Sequence, residues 1–441
     1  MNIFRHLIFV LLFATSAVAM AEEMTLSREE IIAQLAPYDG PTTVGTDVST
    51  LTGKVVTGYQ GWFGVPGDGS GRGWVHLGRG GKFAPGACSI EIWPDVSELP
   101  KEDRFPTDFR FADGTVAEMF SSYRKSTVLL HFQWMKEYGI DGALVQRFSN
   151  EVRDPKALNQ RNTVLKNARE AANRHGRGYA LMYDLSGMRT DNFEQVIEDW
   201  KNLVDRMKLG RDPRDQAYLK HNGKPLVAVW GIGFNDDRKY SLKDCERLID
   251  LLKDDPVYGG NCVMLGVPYY WREQKGDTVN DHDLHRVLLK ADILSPWAVG
   301  RFGSERSVED MQKKAIAPDV AWCAEKKKDY LPVVWPGFSW HNLRAGQAKF
   351  DQIPRRKGEF LWQQCLAAKQ GGATMLYVAM FDELDEATSI FKTTNNPPVG
   401  ESPFLKDEGL PSDHYLWLTG QIGQMLRGRI AATPAAPLRP R

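Results

Sequence analysis

Residues 381–389 read FDELDEATS and place four carboxylates, Asp382, Glu383, Asp385 and Glu386, within five positions. They directly follow the apolar run TMLYVAM at 374–380. Like charges at such short range repel one another and raise one another's pKa, so a purely structural segment would seldom collect them. Carboxyl groups in different protonation states are what general acid and base chemistry requires, and the segment is therefore a candidate active site.

Glu383 and Glu386 have the most informative spacing, because they lie three residues apart. In a helical turn, side chains at i and i+3 lie about 5 to 6 Å apart at Cβ. That distance is close to the roughly 5 Å between the carboxyl groups of retaining glycosidases and shorter than in most inverting ones. With 56 acidic residues in 441 positions, roughly seven such pairs arise by chance, so the position after a strand carries the argument. The alternative is that the acids line the first turn of a helix and suit its dipole.

Short apolar runs alternate along the chain with longer segments of helical apolar spacing. The predicted strands are 54–59, 142–148, 178–184, 225–231, 262–268, 292–296, 331–336 and 374–380. The predicted helices lie near 120–138, 156–175, 192–208, 241–253, 281–290, 307–327, 355–370 and 412–427. Eight apolar strands alternating with helices predict an α/β protein, a single (β/α)8 TIM barrel. A doubly wound sheet would favour a Gly-rich turn after the first strand, whereas a long first βα loop of about 60 residues follows here.

The termini predict export and a single catalytic domain. Residues 1–21 have a basic start, the apolar stretch LIFVLLFATSAVA and A-x-A sites, which predicts a secretory signal peptide and a periplasmic or secreted protein. An uncleaved anchor is the alternative; after cleavage we expect no stable membrane insertion. Residues 22–50 form a lead-in with a short helix at 27–36, residues 51–428 form the barrel, and 429–441 form a disordered tail.

Composition argues for a small neutral ligand. The chain has 56 basic and 56 acidic residues, so no overall field would attract nucleic acid or anionic membrane. Its five cysteines contain no C-x-x-C pair, and we expect neither a metal nor a cofactor.

The C-terminal ends of barrel strands hold the reacting groups, so residues there are candidates to bind the substrate. Aromatic rings suit the faces of sugar rings, while polar side chains bind their hydroxyl groups. Several of these rings could instead close the barrel mouth, and Asp95 could cap its own loop. The candidates for sugar binding are Tyr59, Trp62, Trp93, Asp95, Arg147, Asp184, Trp230, Tyr270, Trp271, Trp297, Trp335, His341 and Asp382.

The sequence resembles glycoside hydrolases related to families 71 and 99. FDELDEATSI is similar to their acidic segment N-E-W-x-E-G-T-x-I, and GYQGWFGVP is similar to their opening strand. HFQWMKEYGIDGALVQRF, HNGKPLVAVWG and VVWPGFSWHN also resemble segments of this group, so the likeness covers most of residues 50–395. The resemblance implies a (β/α)8 barrel that acts on α-linked mannose or glucose polymers.

For family 99 the resemblance implies retention through a 1,2-anhydro sugar. Glu383 would then deprotonate the 2-hydroxyl group and Glu386 would be the general acid/base at the glycosidic oxygen. A glycosyl-enzyme route has the same short acid spacing. Three positions depart from the family pattern: Ala387 replaces Gly, Leu384 replaces Trp, and LMYDLSG stands where family 99 tends to have H-I-E-P-Y, so that Asp184 is the candidate to replace that glutamate.

Two other functions are compatible with the sequence. A barrel whose chemistry has decayed would be a non-catalytic carbohydrate-binding protein. A metal-dependent hydrolase could use His282 and His285 in NDHDLH, although a helix start capped by acids also explains that segment. No G-x-S-x-G elbow occurs, and GDGSGRG at 67–73 precedes WVHL rather than a Lys-Thr helix start, which excludes the usual serine-hydrolase and phosphate-loop motifs.

Overall fold

The structure is a computed structural model, and it describes residues 26–439. The signal peptide predicted at 1–21 therefore lies outside the described residues. The strands are β1 (Val55–Tyr59), β2 (Phe105–Arg110), β3 (Val116–Met119), β4 (Gly142–Phe148), β5 (Gly178–Asp184), β6 (Lys220–His221), β7 (Lys224–Trp230), β8 (Cys262–Val267), β9 (Ile293–Pro296), β10 (Asp329–Tyr330), β11 (Val333–Val334) and β12 (Leu376–Val378). The helices are α1 (Arg28–Ala33), α2 (Lys125–Glu137), α3 (Pro155–His175), α4 (Glu194–Asn202), α5 (Leu242–Asp254), α6 (Leu284–Leu288), α7 (Glu305–Asp310), α8 (Ala317–Glu325), α9 (Glu359–Gln370) and α10 (His414–Leu426).

The main sheet closes into a barrel through a divided seventh strand. Its order is β10-β9-β8-β7-β5-β4-β1-β12-β11, with every neighbouring pair parallel. β10 and β11 are separated only by Leu331 and Pro332, and Pro332 has no N–H to donate. The Leu331 N–H donates to Leu294 (3.0 Å), and the Pro332 carbonyl accepts from Tyr377 (3.1 Å). The two short strands are therefore halves of one barrel strand, and the predicted (β/α)8 fold is confirmed.

Local signals in the sequence explain where the helices begin and end. In α3, the longest helix, the Asp154 carboxylate caps the N-terminus by accepting from the Ala157 N–H (2.8 Å), and Pro155 takes the first turn. Gly176 ends the helix in the left-handed conformation, with φ +62°. The result is a rigid helix that packs against α2 on the outside of the barrel.

The first βα loop carries structure that the apolar pattern did not predict. It contains the antiparallel hairpin of β2 and β3, and the bridge between Gly64 and Val75 pairs two of its own segments. This order matters because the loop runs over the C-terminal ends of the strands, where a barrel places its site.

The C-terminal tail contacts the rest of the chain through side-chain hydrogen bonds, and the cysteines form no disulfide among the described residues. Residues 429–439 contain no helix or strand, but the Trp362 Nε1–H donates to Thr433 O (2.9 Å) and Arg439 pairs with Asp413 (2.7 Å). The disorder expected for the tail stays a prediction. All five cysteines are buried free thiols. Within residues 26–439, no helix combines the length and the apolar character that crossing a bilayer requires.

Candidate active site

The acidic segment after β12 forms a tight turn instead of the helical turn that its spacing suggested. The Ala387 N–H donates to Leu384 O (3.3 Å), and the Ser389 N–H donates to Glu383 O (2.9 Å). Ala387 has φ +54°, a left-handed conformation that favours glycine, which is the residue at this position in the resembling family. The turn therefore begins at Glu383 and contains Glu386.

Asp382 links the C-terminal ends of β12 and β1, the last and the first strands of the barrel. Its Oδ1 accepts from the Gln60 N–H (2.7 Å) and its Oδ2 accepts from the Gly61 N–H (2.9 Å). The side chain is fully buried, and burial raises its pKa to about 7. Both oxygens are occupied by backbone donors, so Asp382, predicted to bind sugar, instead positions the residues that follow β1.

Glu383 is held by Gln60. The Gln60 Nε2–H donates to Glu383 Oε2 at 2.5 Å, and the two side chains are only 7% and 5% exposed. Burial first, and then the charges of Asp385 and Glu386, raise the pKa of Glu383 well above its usual range. The Gln60 hydrogen bond acts in the opposite direction, because a donor stabilises the ionised carboxylate.

Glu386 has a different environment from Glu383. It is half-buried, and burial together with the charge of Asp385 raises its pKa to about 7. The positive charges of Arg344 and Arg301 partly offset that rise. Burial and the neighbouring carboxylates therefore raise the pKa values of both glutamates, and the protonation of one is linked to that of the other.

The barrel interior beneath the carboxylates is closely packed. Tyr377 Oη receives a 3.4 Å hydrogen bond from Gln146 Nε2 and itself lies 3.4 Å from the Met380 sulfur. A Cβ on Gly58 would come within 2.3 Å of Tyr377 Oη, which is why this strand position is a glycine. The charges of Glu383 and Asp184 raise the pKa of Tyr377, with burial the larger cause. This layer forms the floor of the site.

Asp385 contacts a stack of rings on the first loop. Its Oδ2 lies 3.3 Å from His76 Nδ1, while its Oδ1 is buried and has no hydrogen-bond partner among the described residues. The His76 ring stacks on Trp62 at 3.7 Å with an interplanar angle of 7°, and Trp62 stacks on Phe148 at 5.2 Å. The structure thus places Trp62 one ring away from Asp385, and its role in sugar binding stays a prediction.

Four other predicted residues lie at the barrel mouth. Asp184 ends β5 beside Trp230, and burial raises its pKa. Trp230 and Trp297 meet edge to face at 5.6 Å, and both are half-buried. Tyr270 lines a cavity of about 320 Å³ that Arg301 also lines. The charge of Arg301 also acts on Glu386.

Four predicted sugar ligands point into the barrel wall, and their placement corrects the sequence-based set. Each contacts an outer helix: Tyr59 bonds to His131 on α2 (2.9 Å), Arg147 pairs with Asp199 on α4 (2.5 Å), Trp271 donates to Asp319 on α8 (3.2 Å), and Trp335 packs on Phe360 of α9 (5.5 Å). Successive strand residues face opposite sides, so the neighbours Gln60 and Gln146 face the interior instead.

Three predicted residues have partners within the surface loops. Trp93 is buried among Phe83, Phe109 and Phe404. The Asp95 carboxylate accepts from the Ser97 N–H (3.0 Å), the loop capping that was its alternative explanation. His341 Nδ1 bonds to the Ala348 carbonyl (2.7 Å). None of these three contacts involves the carboxylate pair.

Two buried charges that sequence reasoning missed hold the acidic segment in place. Glu91 accepts from Ser339 Oγ (2.6 Å), and its own N–H donates to Leu384 O (2.8 Å). The Arg355 guanidinium donates to Ala387 O (2.8 Å) and Ser389 O (2.7 Å). Glu91 lies two positions before the candidate Trp93 and four before the candidate Asp95, whereas no motif of the sequence pointed to Arg355.

The histidines considered as metal ligands do not converge. His282 is 94% exposed, and His285 Nε2 bonds to the Trp271 carbonyl (3.1 Å). Across residues 26–439, no group of three or more His, Cys, Asp or Glu side chains is arranged to hold a metal ion. The two residues therefore form no ligand set with the geometry of a catalytic metal centre.

The fold is similar to that of known glycoside hydrolases. The GH99 endo-alpha-mannosidase from Bacteroides thetaiotaomicron aligns with a TM-score of 0.62 and 16% identity, over 86% of this chain and 99% of that chain. A second structure of a GH99 endo-alpha-mannosidase, in complex with BIS-TRIS-propane, gives 0.62 and 15%, over the same shares. A glycoside hydrolase-like protein gives 0.53 and 13%, over 89% and 98%. No protein-family model and no curated protein matches the chain. The resemblance to families 71 and 99 is thus confirmed at the level of the fold, a (β/α)8 barrel.

Proposed function

We propose that this protein is an exported, retaining glycoside hydrolase that acts on α-linked polysaccharide or oligosaccharide and uses Glu383 and Glu386. The observation that carries the proposal is the pair itself: Glu383 and Glu386 share one turn after the last barrel strand, where burial and neighbouring carboxylates raise the pKa of Glu383. Glu386 is the more exposed of the two and is close enough to Arg301 and Arg344 to feel their charges. Such a pair supplies the acid and the base that glycoside hydrolysis requires.

The roles follow from the resemblance. Glu383 takes the proton of the 2-hydroxyl group, O2 attacks C1, and Glu386 gives its proton to the departing glycosidic oxygen, which leaves a 1,2-anhydro sugar. Water then attacks C1 and loses a proton to Glu386, while Glu383 returns its proton to O2. Two inversions at C1 give net retention. In the alternative route, Glu383 attacks C1 directly and forms a glycosyl-enzyme.

Glu383 must be ionised before either route begins. Burial and neighbouring charges oppose the ionised form. Two donors favour it: the Gln60 amide, which already donates to Glu383, and the sugar hydroxyl, which would bring a second donor. The proton then belongs on Glu386, where catalysis needs it. Trp62, Asp184, Trp230, Tyr270 and Trp297 supply the surrounding walls for the sugar rings.

The test is hydrolysis of a panel of α-mannans, α-glucans and mixed plant and algal polysaccharides by the purified mature protein. Products are analysed by mass spectrometry, and their initial anomeric form by proton NMR. We expect product from the parent but not from Glu383→Gln, and full activity from the control Glu325→Gln, whose carboxylate is 69% exposed. Product of inverted configuration would exclude the proposed mechanism. Fractionation of the native host, with recovery of the protein outside the cytoplasm, tests export.

The burial of Glu383 favours a second candidate, a carbohydrate-binding barrel without turnover. At 5% exposure, this carboxylate is largely covered in the free protein, and Trp62 beside it is 8% exposed. A barrel that only binds sugar would retain its affinity in Glu383→Gln and release no product from any polysaccharide. Binding measured on both proteins by calorimetry separates the two functions.

A further inference from the structure

We propose that His76, oriented by Asp385, binds a hydroxyl group of the sugar through its Nε2 atom and so helps to set the specificity of the site. This inference rests on the proposed function, since it assigns a further substrate-binding residue to the same site. Asp385 acts as a positioning residue. Neither residue was among the predicted site residues, and the resembling family's segment leaves the Asp385 position unspecified.

His76 and Asp385 form a hydrogen-bonded pair with a defined direction. Asp385 Oδ2 lies 3.3 Å from His76 Nδ1, and an ionised carboxylate only accepts hydrogen bonds, so Nδ1 carries the proton. In a neutral imidazole the other nitrogen, Nε2, is then an acceptor. The His76 side chain is 34% exposed, whereas Asp385 is buried at 4%. The pair thus has a buried anchor and an accessible end.

The backbone and the ring of His76 are both held in place by their neighbours. His76 has φ +58°, a conformation that costs a non-glycine residue free energy and persists only where its surroundings impose it. Its neighbours are fixed on both sides: the Val75 N–H donates to Gly64 O (3.0 Å), and Leu77 O accepts from the Ser89 N–H (2.9 Å). Stacking on Trp62 at 3.7 Å fixes the plane of the ring.

The second carboxylate oxygen of Asp385 also points to a ligand. Asp385 Oδ1 is buried without a hydrogen-bond partner among the described residues, an unfavourable state unless a ligand or water supplies a donor. Asp385 lies in the turn between Glu383 and Glu386, so the donor that satisfies Oδ1 would come from the space beside the catalytic pair. Sugar hydroxyl groups supply both the donor for His76 Nε2 and a donor for this oxygen.

The experiment is a binding measurement in a Glu383→Gln background, which prevents turnover. α-Mannotetraose and maltotetraose are titrated by calorimetry into this protein and into versions that also carry His76→Gly, Asp385→Ala or Asp385→Asn. Glycine is used at position 76 because it tolerates φ +58° without strain. His282→Gly is the matched control, since that side chain is 94% exposed. Thermal unfolding of each variant verifies that the barrel is intact.

We expect His76→Gly to weaken binding of at least one oligosaccharide about three- to tenfold, the effect of one neutral hydrogen bond. Asp385→Ala should weaken binding to a similar extent, and combining it with His76→Gly should add little, because both act through one contact. Asp385→Asn retains an acceptor for Nδ1–H and should restore most of the affinity. A purely structural role would not give this rescue.

The outcomes separate this inference from the proposed function. Oligosaccharide binding that is unchanged by His76→Gly would overturn the role of His76 and leave the glycosidase proposal intact. Additive losses in the double variant would overturn the coupling to Asp385. Absence of binding by the parent to both oligosaccharides, together with absence of hydrolysis across the polysaccharide panel, would overturn the proposed function and this inference with it.

Discussion

Replacing Gln60 by leucine tests whether its amide prepares Glu383 for its role as a base. The hydrogen bond between Gln60 Nε2 and Glu383 Oε2 is 2.5 Å long, and both side chains are buried. It is the one interaction among those that set the pKa of Glu383 that lowers it, against burial and three neighbouring carboxylates. Leucine is similar in size to glutamine but cannot donate, so the ionised form of Glu383 loses its stabilising partner.

The magnitude follows from the strength of a hydrogen bond to a charged group, about 1.5 to 3 kcal/mol. On the acidic side of the rising limb of the pH–rate profile, where Glu383 is mostly protonated, kcat/KM should fall about 10- to 150-fold. The sign is set by the donor: its removal raises the pKa of Glu383, so the rising limb, which requires the ionised base, moves to higher pH. The assay is kcat/KM against pH with the polysaccharide identified in the hydrolysis panel.

Gln133→Leu is the matched control. Gln133 lies on α2, and its amide also donates to a glutamate, Glu137, at 2.7 Å, but this pair is exposed. We expect its pH profile to match that of the parent. A rising limb that stays in place in Gln60→Leu, or a loss of less than threefold in kcat/KM, would refute the assignment of Gln60 as the partner of the base.

Three further predictions concern the surroundings of the site. Glu386→Gln should lower turnover of an unactivated substrate by 10² to 10⁴, the usual contribution of a general acid, and a loss below about tenfold would contradict that role. Ala387→Gly should stabilise the protein by about 0.5 to 1 kcal/mol in urea unfolding, because it removes a left-handed alanine at a smaller cost in chain entropy; destabilisation would show that the turn is not strained. Arg147→Met should destabilise the barrel by about 3 to 5 kcal/mol, because it leaves Asp199 buried without its partner, yet leave KM within about twofold. A large rise in KM with unchanged stability would restore Arg147 as a sugar ligand.

The fold was largely predictable because parallel barrel strands are apolar on both faces and stand out from the helices between them. The predicted bounds of β4 and β5 match the structure residue for residue. The seventh strand did not match, because Pro332, the second residue of LPVVWP, interrupts the ladder and leaves two short strands, the first of which precedes the predicted run. The β2–β3 hairpin was missed because its alternation is weak and its first strand includes Pro106.

The carboxylates were predictable from their position after the last strand, but their partners were not. Gln146 and Arg147 both end β4, and an all-apolar strand gives no alternation from which to decide which of the two faces the interior. The larger, charged Arg147 attracted the prediction, whereas the structure places Gln146 against Tyr377 in the interior. The contacts of His76 and Arg355 join residues that lie far apart in the sequence, and no local pattern encodes such pairings.

Asp382 accepts hydrogen bonds from the backbone of Gln60 and Gly61, so the proposed activity depends on pairing of the first and last strands of the barrel. Gln60 and Gly61 lie 322 and 321 positions before Asp382 in the chain. The strand that leads to Asp382, β12, has only three residues and pairs with β1 on one side and with the short β11 on the other. A partial opening at this seam would separate the base from its amide partner while the other strands stay paired. Function would then be lost at milder denaturant than global structure, and a nascent chain would complete the site only after its last strand has been synthesised and paired.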